Sequence, residues 1–329
     1  MVYVFRKLEV IELNRLIDTI ECCRKLDLEM VTIGRNMFKP NVQFFVPGFS
    51  KCGTTTLCSL LGDHPEIYIP EIKEPNFFSM AYHRGWEWYA DLFSKAAGRI
   101  GGEGSTFYTA KNFEDFAVSK MAEFYPDAKF IFIARNPFTR IESSYREHHH
   151  SGHKYGVHVP HDLEQTLRAF PNILDDTSYW SRLEAYRKRF DDQQIHILFF
   201  EDLLANQQFE LRKCFKFLGA DPEVQIENPK RQLNPGSQKR YDTVLMRRIR
   251  TSRIASKAWS LIPENRRLLL EDNDLLRKPF AKKIQWPSQT KRFVLGRLAE
   301  ESAQFLEYAG KPVDYWDLSI PATSARAMV

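Results

Sequence analysis

The stretch "VQFFVPGFSKCGTTTLCSLLG", residues 42–62, decides the fold. Its apolar run ends in Pro-Gly, as a buried strand feeding a loop does. The "TTTLCSLLG" that follows reads as a helix, stopped by Gly62 and Pro65. Strand, glycine loop and helix in this order aim backbone N–H groups and a helix dipole at an anion. Gly48 and Gly53 have the spacing of a nucleotide-triphosphate loop. Yet Thr54 stands where that loop carries its lysine, and Lys51 comes before the second glycine. Taken alone, the stretch also fits an ordinary Gly-Thr helix start with an exposed lysine.

Further along, "AKFIFIARNP" (128–137) and "QIHILFFEDL" (194–203) are two more buried strands. Helical patterns lie between the strands, at about 112–124, 138–150 and 178–190. Strands alternating with helices predict an α/β fold with a central parallel sheet flanked by helices and a P-loop-like strand-loop-helix site. Residues 237–293 are rich in Arg and Lys and read as helices and loops of a surface subdomain. "RLAEESAQFLEYAG" (297–310) is an amphipathic helix with Gly310 as its stop. Leu8, Ile11, Leu13, Leu16, Ile17 and Ile20 give residues 5–30 helical periodicity. That helix would pack on the main body or on a partner, and it offers a surface for homo-oligomerisation. The expected division is a helical extension at 1–41, a domain at 42–320 and a tail at 321–329.

The 329 residues are 43% hydrophobic, enough for a large core in one domain or two smaller ones. A net charge of +5 suits an anionic small ligand and is too mild to argue for nucleic acid. The five cysteines (Cys22, Cys23, Cys52, Cys58 and Cys214) are odd in number and lack metal-ligand spacing, which favours a reducing compartment. No apolar run is long enough for a membrane span, and the N-terminus lacks a secretory apolar core. The expectation is a cytoplasmic protein with a small-molecule partner and no membrane or nucleic-acid partner.

The second strand discriminates among ligands. A metal-dependent P-loop kinase ends a neighbouring strand in a carboxylate that holds Mg²⁺. Here Arg135 ends the strand, and a cation there repels a metal and attracts another phosphate. Ser143 follows on the helix that Pro137 begins. The ligand therefore carries two phosphate positions and needs no metal. A kinase and a nonenzymatic polyanion-binding module stand as the alternatives.

"GFSKCGTTTL" and "RNPFTRIESSY" together resemble the two cofactor loops of sulfotransferases that use 3′-phosphoadenosine 5′-phosphosulfate (PAPS) and release adenosine 3′,5′-bisphosphate (PAP). "HPEIYIPEIKEPNFFS", "GWEWYADLF", "GEGSTFYT", "YWSRLEAYRKRF", "ILFFEDLLANQQFELRKCFKFLG" and "FLEYAGKPVDYW" resemble the heparan-sulfate and bacterial branch. The resemblance covers about residues 42–317.

It implies that Lys51, Cys52, Gly53, Thr54, Thr55 and Thr56 wrap the 5′-phosphosulfate, with Lys51 at the bridging oxygen. It assigns the 3′-phosphate to Arg135 and Ser143. A lysine inside the loop suits a leaving phosphate on which charge grows without metal help. The histidine base of many cytosolic relatives is missing from "GGEGSTFYT". The heparan-sulfate branch instead carries a glutamate before its Phe-Phe pair, and Glu74 matches it, with Lys73 beside it to orient acceptor or cofactor. Phe77, Tyr82, His83 and His149 are acceptor-side candidates. "MAYHRGWEWY" reads equally as acceptor lining or core. Consecutive His148, His149 and His150 point to different faces, which suits a solvated helix end or the rim of an acceptor cleft better than a metal site. "NPGSQKRYD" stands where the family has a basic loop closing over the cofactor, which makes Lys239 and Arg240 cofactor candidates.

Overall fold

A computed structural model describes residues 39–152, 157, 159–227, 239–271, 273–281 and 283–318. The helix expected at 5–30 and the tail at 321–329 lie outside them. The chain forms two compact units, one of residues up to Ala134 together with Arg182–Lys230, the other of Arg135–Ser181 and the rest.

The first unit holds a five-stranded sheet: β1 (Phe44–Gly48), β2 (Ile67–Tyr68), β3 (Ile100–Glu103), β4 (Lys129–Ala134) and β5 (Ile195–Phe199). Their order is β2-β3-β1-β4-β5, and every pair is parallel. The expected strands are β1, β4 and β5, and the expected α/β class is the observed one. Helices Thr54–Gly62, Glu114–Phe124 and Gln207–Leu218 flank the sheet.

Sequence patterning misses β2 and β3, for physical reasons. β2 has only two residues. β3 reads "IGGE", two glycines with no apolar alternation. Those glycines answer to packing. Gly102 pairs with Phe44, and a Cβ on Gly102 would lie 2.3 Å from the Phe44 ring. A Cβ on Gly101 would lie 2.8 Å from the Asn41 carbonyl oxygen. β3 can thus lie against β1 only without side chains at these points.

The core of this unit is aromatic. Phe45 stacks on Phe130 at 5.8 Å and meets Phe78, Tyr108 and Tyr125 edge-on. Phe77 lies flat on Tyr89 at 4.2 Å. Edge-to-face and offset pairs of this kind add to the area each ring buries.

In the second unit, helix Pro137–Ser151 starts as its sequence requires. The Asn136 side chain accepts from the Phe138 and Thr139 amides, and Pro137 occupies the first turn. Ile141 and Tyr145 of this helix pack with Leu163, Leu167, Ile173, Leu174, Val294 and Leu298. Arg140 is buried and donates to the Ile173 carbonyl at 2.6 Å and the Thr177 hydroxyl at 3.0 Å.

The C-terminal helix is longer than expected, Ser288–Tyr308, because Thr290 and Val294 continue its buried face past Gly296. It stops at Gly310, whose φ of 67° only glycine adopts freely. Residues 240–279 hold helices as expected, and also β6 (Arg240–Asp242) pairing antiparallel with β7 (Arg277–Pro279). Buried charge, and not apolar patterning, joins these strands. Arg277 bridges to Asp242 and Glu271 from opposite ends of the segment.

Substituting Gly102→Ala should force the Phe44 ring out of place. The expected loss is about 1–3 kcal/mol of stability, the usual range for overpacking a core, read as a lowered Tm with the α/β circular dichroism signature retained.

Candidate active site

β1 delivers the chain to a loop with two residues in the left-handed region, Lys51 at φ 65° and Gly53 at φ 100°. Gly53 is required twice over. Its φ disfavours a side chain, and a Cβ there would lie 2.5 Å from the Phe200 ring. Helix Thr54–Gly62 begins at Gly53 with no side-chain cap and no acidic residue in its first turn. Its first amides and the positive end of its dipole are thus left for an anion, the arrangement of a phosphate site. Lys51, Gly53 and Thr55 are partly exposed, whereas Cys52, Thr54 and Thr56 are buried.

The segment carrying Lys73 and Glu74 is pinned to the chain that leaves β3. The Gly104 amide donates to the Lys73 carbonyl at 2.9 Å, the Asn76 amide to the Ser105 hydroxyl at 2.8 Å, and the Phe78 amide to the Tyr108 hydroxyl at 3.2 Å. Lys73 Nζ then reaches both ways. It donates to Thr54 Oγ1 at 3.1 Å and pairs with Glu74 Oε1 at 2.6 Å. Thr106 Oγ1 donates to the other oxygen, Glu74 Oε2, at 3.3 Å. Lys73, expected to orient acceptor or cofactor, touches the phosphate-loop helix as well as Glu74. Gly104 makes its room, since a Cβ there would lie 2.4 Å from Cys58 Sγ and 2.8 Å from Lys73 Cε.

A carboxylate that sequence reading missed lies nearby. Glu103 ends β3, beside β1, so the chain does carry an acidic strand end, contrary to expectation. It is fully buried and accepts from the Tyr108 hydroxyl at 2.5 Å and the Tyr89 hydroxyl at 3.4 Å. Burial pushes its carboxyl up to about 7, opposed by hydrogen bonds from Ser105 and Tyr108 and helped by the charge of Glu74. An inward carboxyl of this kind braces the core and is ill suited to hold Mg²⁺ at the loop. The signal that could have found it is the short "GGE" between two apolar segments.

Other candidates fall elsewhere. Phe77 and Tyr82 belong to the aromatic core and not to a cleft wall, because Tyr89, Trp86 and Phe116 enclose them. His83 is exposed on the short helical turn Tyr82–Arg84.

In the second unit Arg135 directly follows β4. Its Nε donates to Thr139 Oγ1 at 2.9 Å, and its carbonyl accepts from the Tyr179 hydroxyl at 2.8 Å. Ser143 lies one turn beyond Thr139 on the same helix face, half-buried. Lys239 pairs with Glu147 at 2.6 Å, and Arg240 pairs with Asp274 and donates to the Arg277 carbonyl at 2.7 Å. Both residues expected to close over a cofactor thus fasten β6 to its own unit. The histidine run is not a solvated helix end. His149 is buried, stacked on His161 at 5.5 Å beside Phe280 and Tyr241. Burial, with His161 and Arg247 adding to it, pushes its imidazole down to about 3.

A family model described as the sulfotransferase domain matches residues 41–240. The chain belongs to the sulfotransferase family. It is 30% identical over 186 residues to mouse (Mus musculus) heparan sulfate glucosamine 3-O-sulfotransferase 3B1, covering 54% of this chain and 46% of that relative. It is 29% identical over 201 residues to the mouse bifunctional heparan sulfate N-deacetylase/N-sulfotransferase 3, covering 55% of this chain and 22% of the relative. The chain thus spans about half the length, or less, of these curated relatives. A sulfotransferase structure from Alicyclobacillus acidocaldarius shares the fold with a TM-score of 0.58 at 20% identity, over 85% of this chain and 99% of that one.

Glu103 gives this member of the family a pH-dependent stability. Its folded carboxyl keeps a proton up to about 7, above its ordinary value of 4.5, so its contribution is complete below 4.5 and lost as pH rises through 7. The loss is on the order of 3 kcal/mol. Tm of the wild type should fall between about pH 5 and pH 8, and Glu103→Gln should flatten that slope.

Proposed function

We propose that this protein is a PAPS-dependent sulfotransferase that moves a sulfuryl group to a hydroxyl or amine of a sugar-like or specialised-metabolite acceptor. The observation that carries the reading is the Lys73 ammonium, placed between Thr54 of an uncapped phosphate-loop helix and the Glu74 carboxylate. A cation and a base thus stand side by side at an anion site. When bound, PAPS supplies the sulfuryl group and a 3′-phosphate.

The loop fits such a donor, with open helix amides, the Lys51 cation and no side chain at Gly53 to bar close approach. Lys51 counters the negative charge that grows on the departing phosphate oxygen. An interaction of that kind is stronger in the transition state than in the ground state. Glu74 receives the acceptor proton. Thr106 and Lys73 hold both its oxygens and fix its aim. Lys73 relates the aim of the base to the position of the loop. Family resemblance assigns the 3′-phosphate to Arg135 and Ser143, which supply affinity and discrimination from ATP. Curated relatives named for heparan sulfate support a sugar-like acceptor. Arg135 after β4 and the enclosed Glu103 favour this reading over a Mg²⁺-dependent kinase.

Turnover with PAPS and a panel of sugar and alcohol acceptors tests the proposal, with PAP binding by calorimetry beside it. Lys51→Ala should mainly lower kcat, and Arg135→Ala should mainly weaken PAP. Glu74→Gln should lower kcat by about 10²-fold or more and leave PAP affinity intact, the usual scale for losing a general base. Activity should survive chelator. Activity lost in chelator and restored by Mg²⁺, with ATP bound in place of PAP, would overturn the reading.

Lys73→Met and Gly104→Ala should both depress kcat, the first by removing the ammonium and the second by displacing it. Glu74→Gln on the Lys73→Met background should cost less than on the wild type, since the two act as a unit.

A further inference from the structure

Residues 244–263, "VLMRRIRTSRIASKAWSLIP", hold five basic residues and no acidic one. They form helices Val244–Thr251 and Arg253–Ser260. Thr243 and Ser252 cap them, each side chain accepting an amide hydrogen bond at 3.3 Å. Yet packing accounts for little of either helix. The first buries only Met246, and the second buries no residue.

The second helix is divided lengthwise. Ile254, Ala258 and Leu261 recur at i, i+4 and i+7, with Ala255 and Trp259 beside them. Arg253, Ser256, Lys257 and Ser260 take the opposite side. Ile254 is 85% exposed and Leu261 79%. Among the described residues, seven of the thirteen exposed large hydrophobics fall within residues 244–275, including Leu269 and Leu275. Single exposed apolar residues are ordinary, but an exposed apolar stripe with a cationic flank marks a surface built for contact.

We propose that residues 244–263 dock this protein on an anionic lipid surface. Ile254, Trp259 and Leu261 enter the boundary between headgroups and acyl chains, and Arg253 and Lys257 extend to the lipid phosphates. High amphipathicity, a Lys/Arg polar side and a Leu/Ile/Trp apolar side are the properties of helices that lie in a membrane interface. Charge complementarity selects the occupant. The absence of carboxylates from residues 244–263 fits a surface of phosphates, and cations alone would serve a soluble polyanion without the bare aliphatic stripe. Such docking needs no spanning segment. It is compatible with the finding that no described helix is long and apolar enough to cross a membrane, and it adds a partner that the sequence reading did not expect.

Flotation of the full chain with vesicles tests this, using phosphatidylcholine alone and phosphatidylcholine mixed with phosphatidylglycerol. The chain should float with the mixed vesicles and not with the neutral ones. The double variant Ile254→Gln/Leu261→Gln should bind at least about tenfold more weakly, given the transfer free energy of two large apolar side chains. Arg253→Gln/Lys257→Gln should lose binding as well. Both variants should keep wild-type Tm and circular dichroism, because the replaced side chains are exposed. No flotation with mixed vesicles would overturn the proposal. So would an Ile254→Gln/Leu261→Gln variant that floats like the wild type, or heparin binding that only the cation variant weakens while vesicle binding is absent. These outcomes do not depend on sulfuryl transfer, so failure here and failure of the proposed activity are separable.

Discussion

The hydrogen bond from the Gly104 amide to the Lys73 carbonyl fixes where the charges of the candidate site stand. It brings the "KEPNFF" segment against the end of β3 and leaves the Lys73 side chain over a residue with no Cβ. From there the ammonium reaches the helix after the phosphate loop on one side and the Glu74 carboxylate on the other. β3 itself reaches its place beside β1 because Gly101 and Gly102 yield to Asn41 and Phe44. Three glycines in four residues thus set both the sheet order and the site.

This explains which parts of the fold are legible in sequence. β1 and β4 carry apolar runs because both their faces are covered, and the edge strand β5 runs on into the buried Phe199 and Phe200, so all three stand out. β3 is defined by what it lacks, and an absent side chain has no hydrophobic period. β2 is too short for any period. β6 and β7 are joined by the ion pairs of Arg277, whose partners lie far apart in the chain. The basic character of residues 237–293 is plain in the sequence, but Lys239 and Arg277 are buried against carboxylates of their own unit.

The site divides in the same way. The phosphate loop is a local motif, and local motifs can be read directly. Glu74 and Lys73 are adjacent, so their pairing was within reach, but the link from Lys73 to Thr54 spans two secondary-structure elements. Glu103 needed a strand that patterning could not detect. Phe77, Tyr82 and His149 illustrate a different ambiguity. Aromatic and imidazole groups serve cores and ligand pockets equally well, and only their neighbours decide. Lys239 and Arg240 illustrate the matching ambiguity for cations, since a basic residue in a cofactor-loop motif can as easily anchor its own strand.

The three cysteines of the described chain have a consequence for handling and for biology. Cys52, Cys58 and Cys214 are all buried and unbridged. Burial pushes the Cys58 thiol up to about 11 and the Cys214 thiol up to about 12, so at neutral pH neither offers a thiolate. Oxidants and alkylating reagents act through the thiolate, and in the folded protein they meet Cys58 and Cys214 held in their inert form. A maleimide that reacts with Cys58 or Cys214 becomes a stopwatch for local opening around the phosphate-loop helix and the sheet.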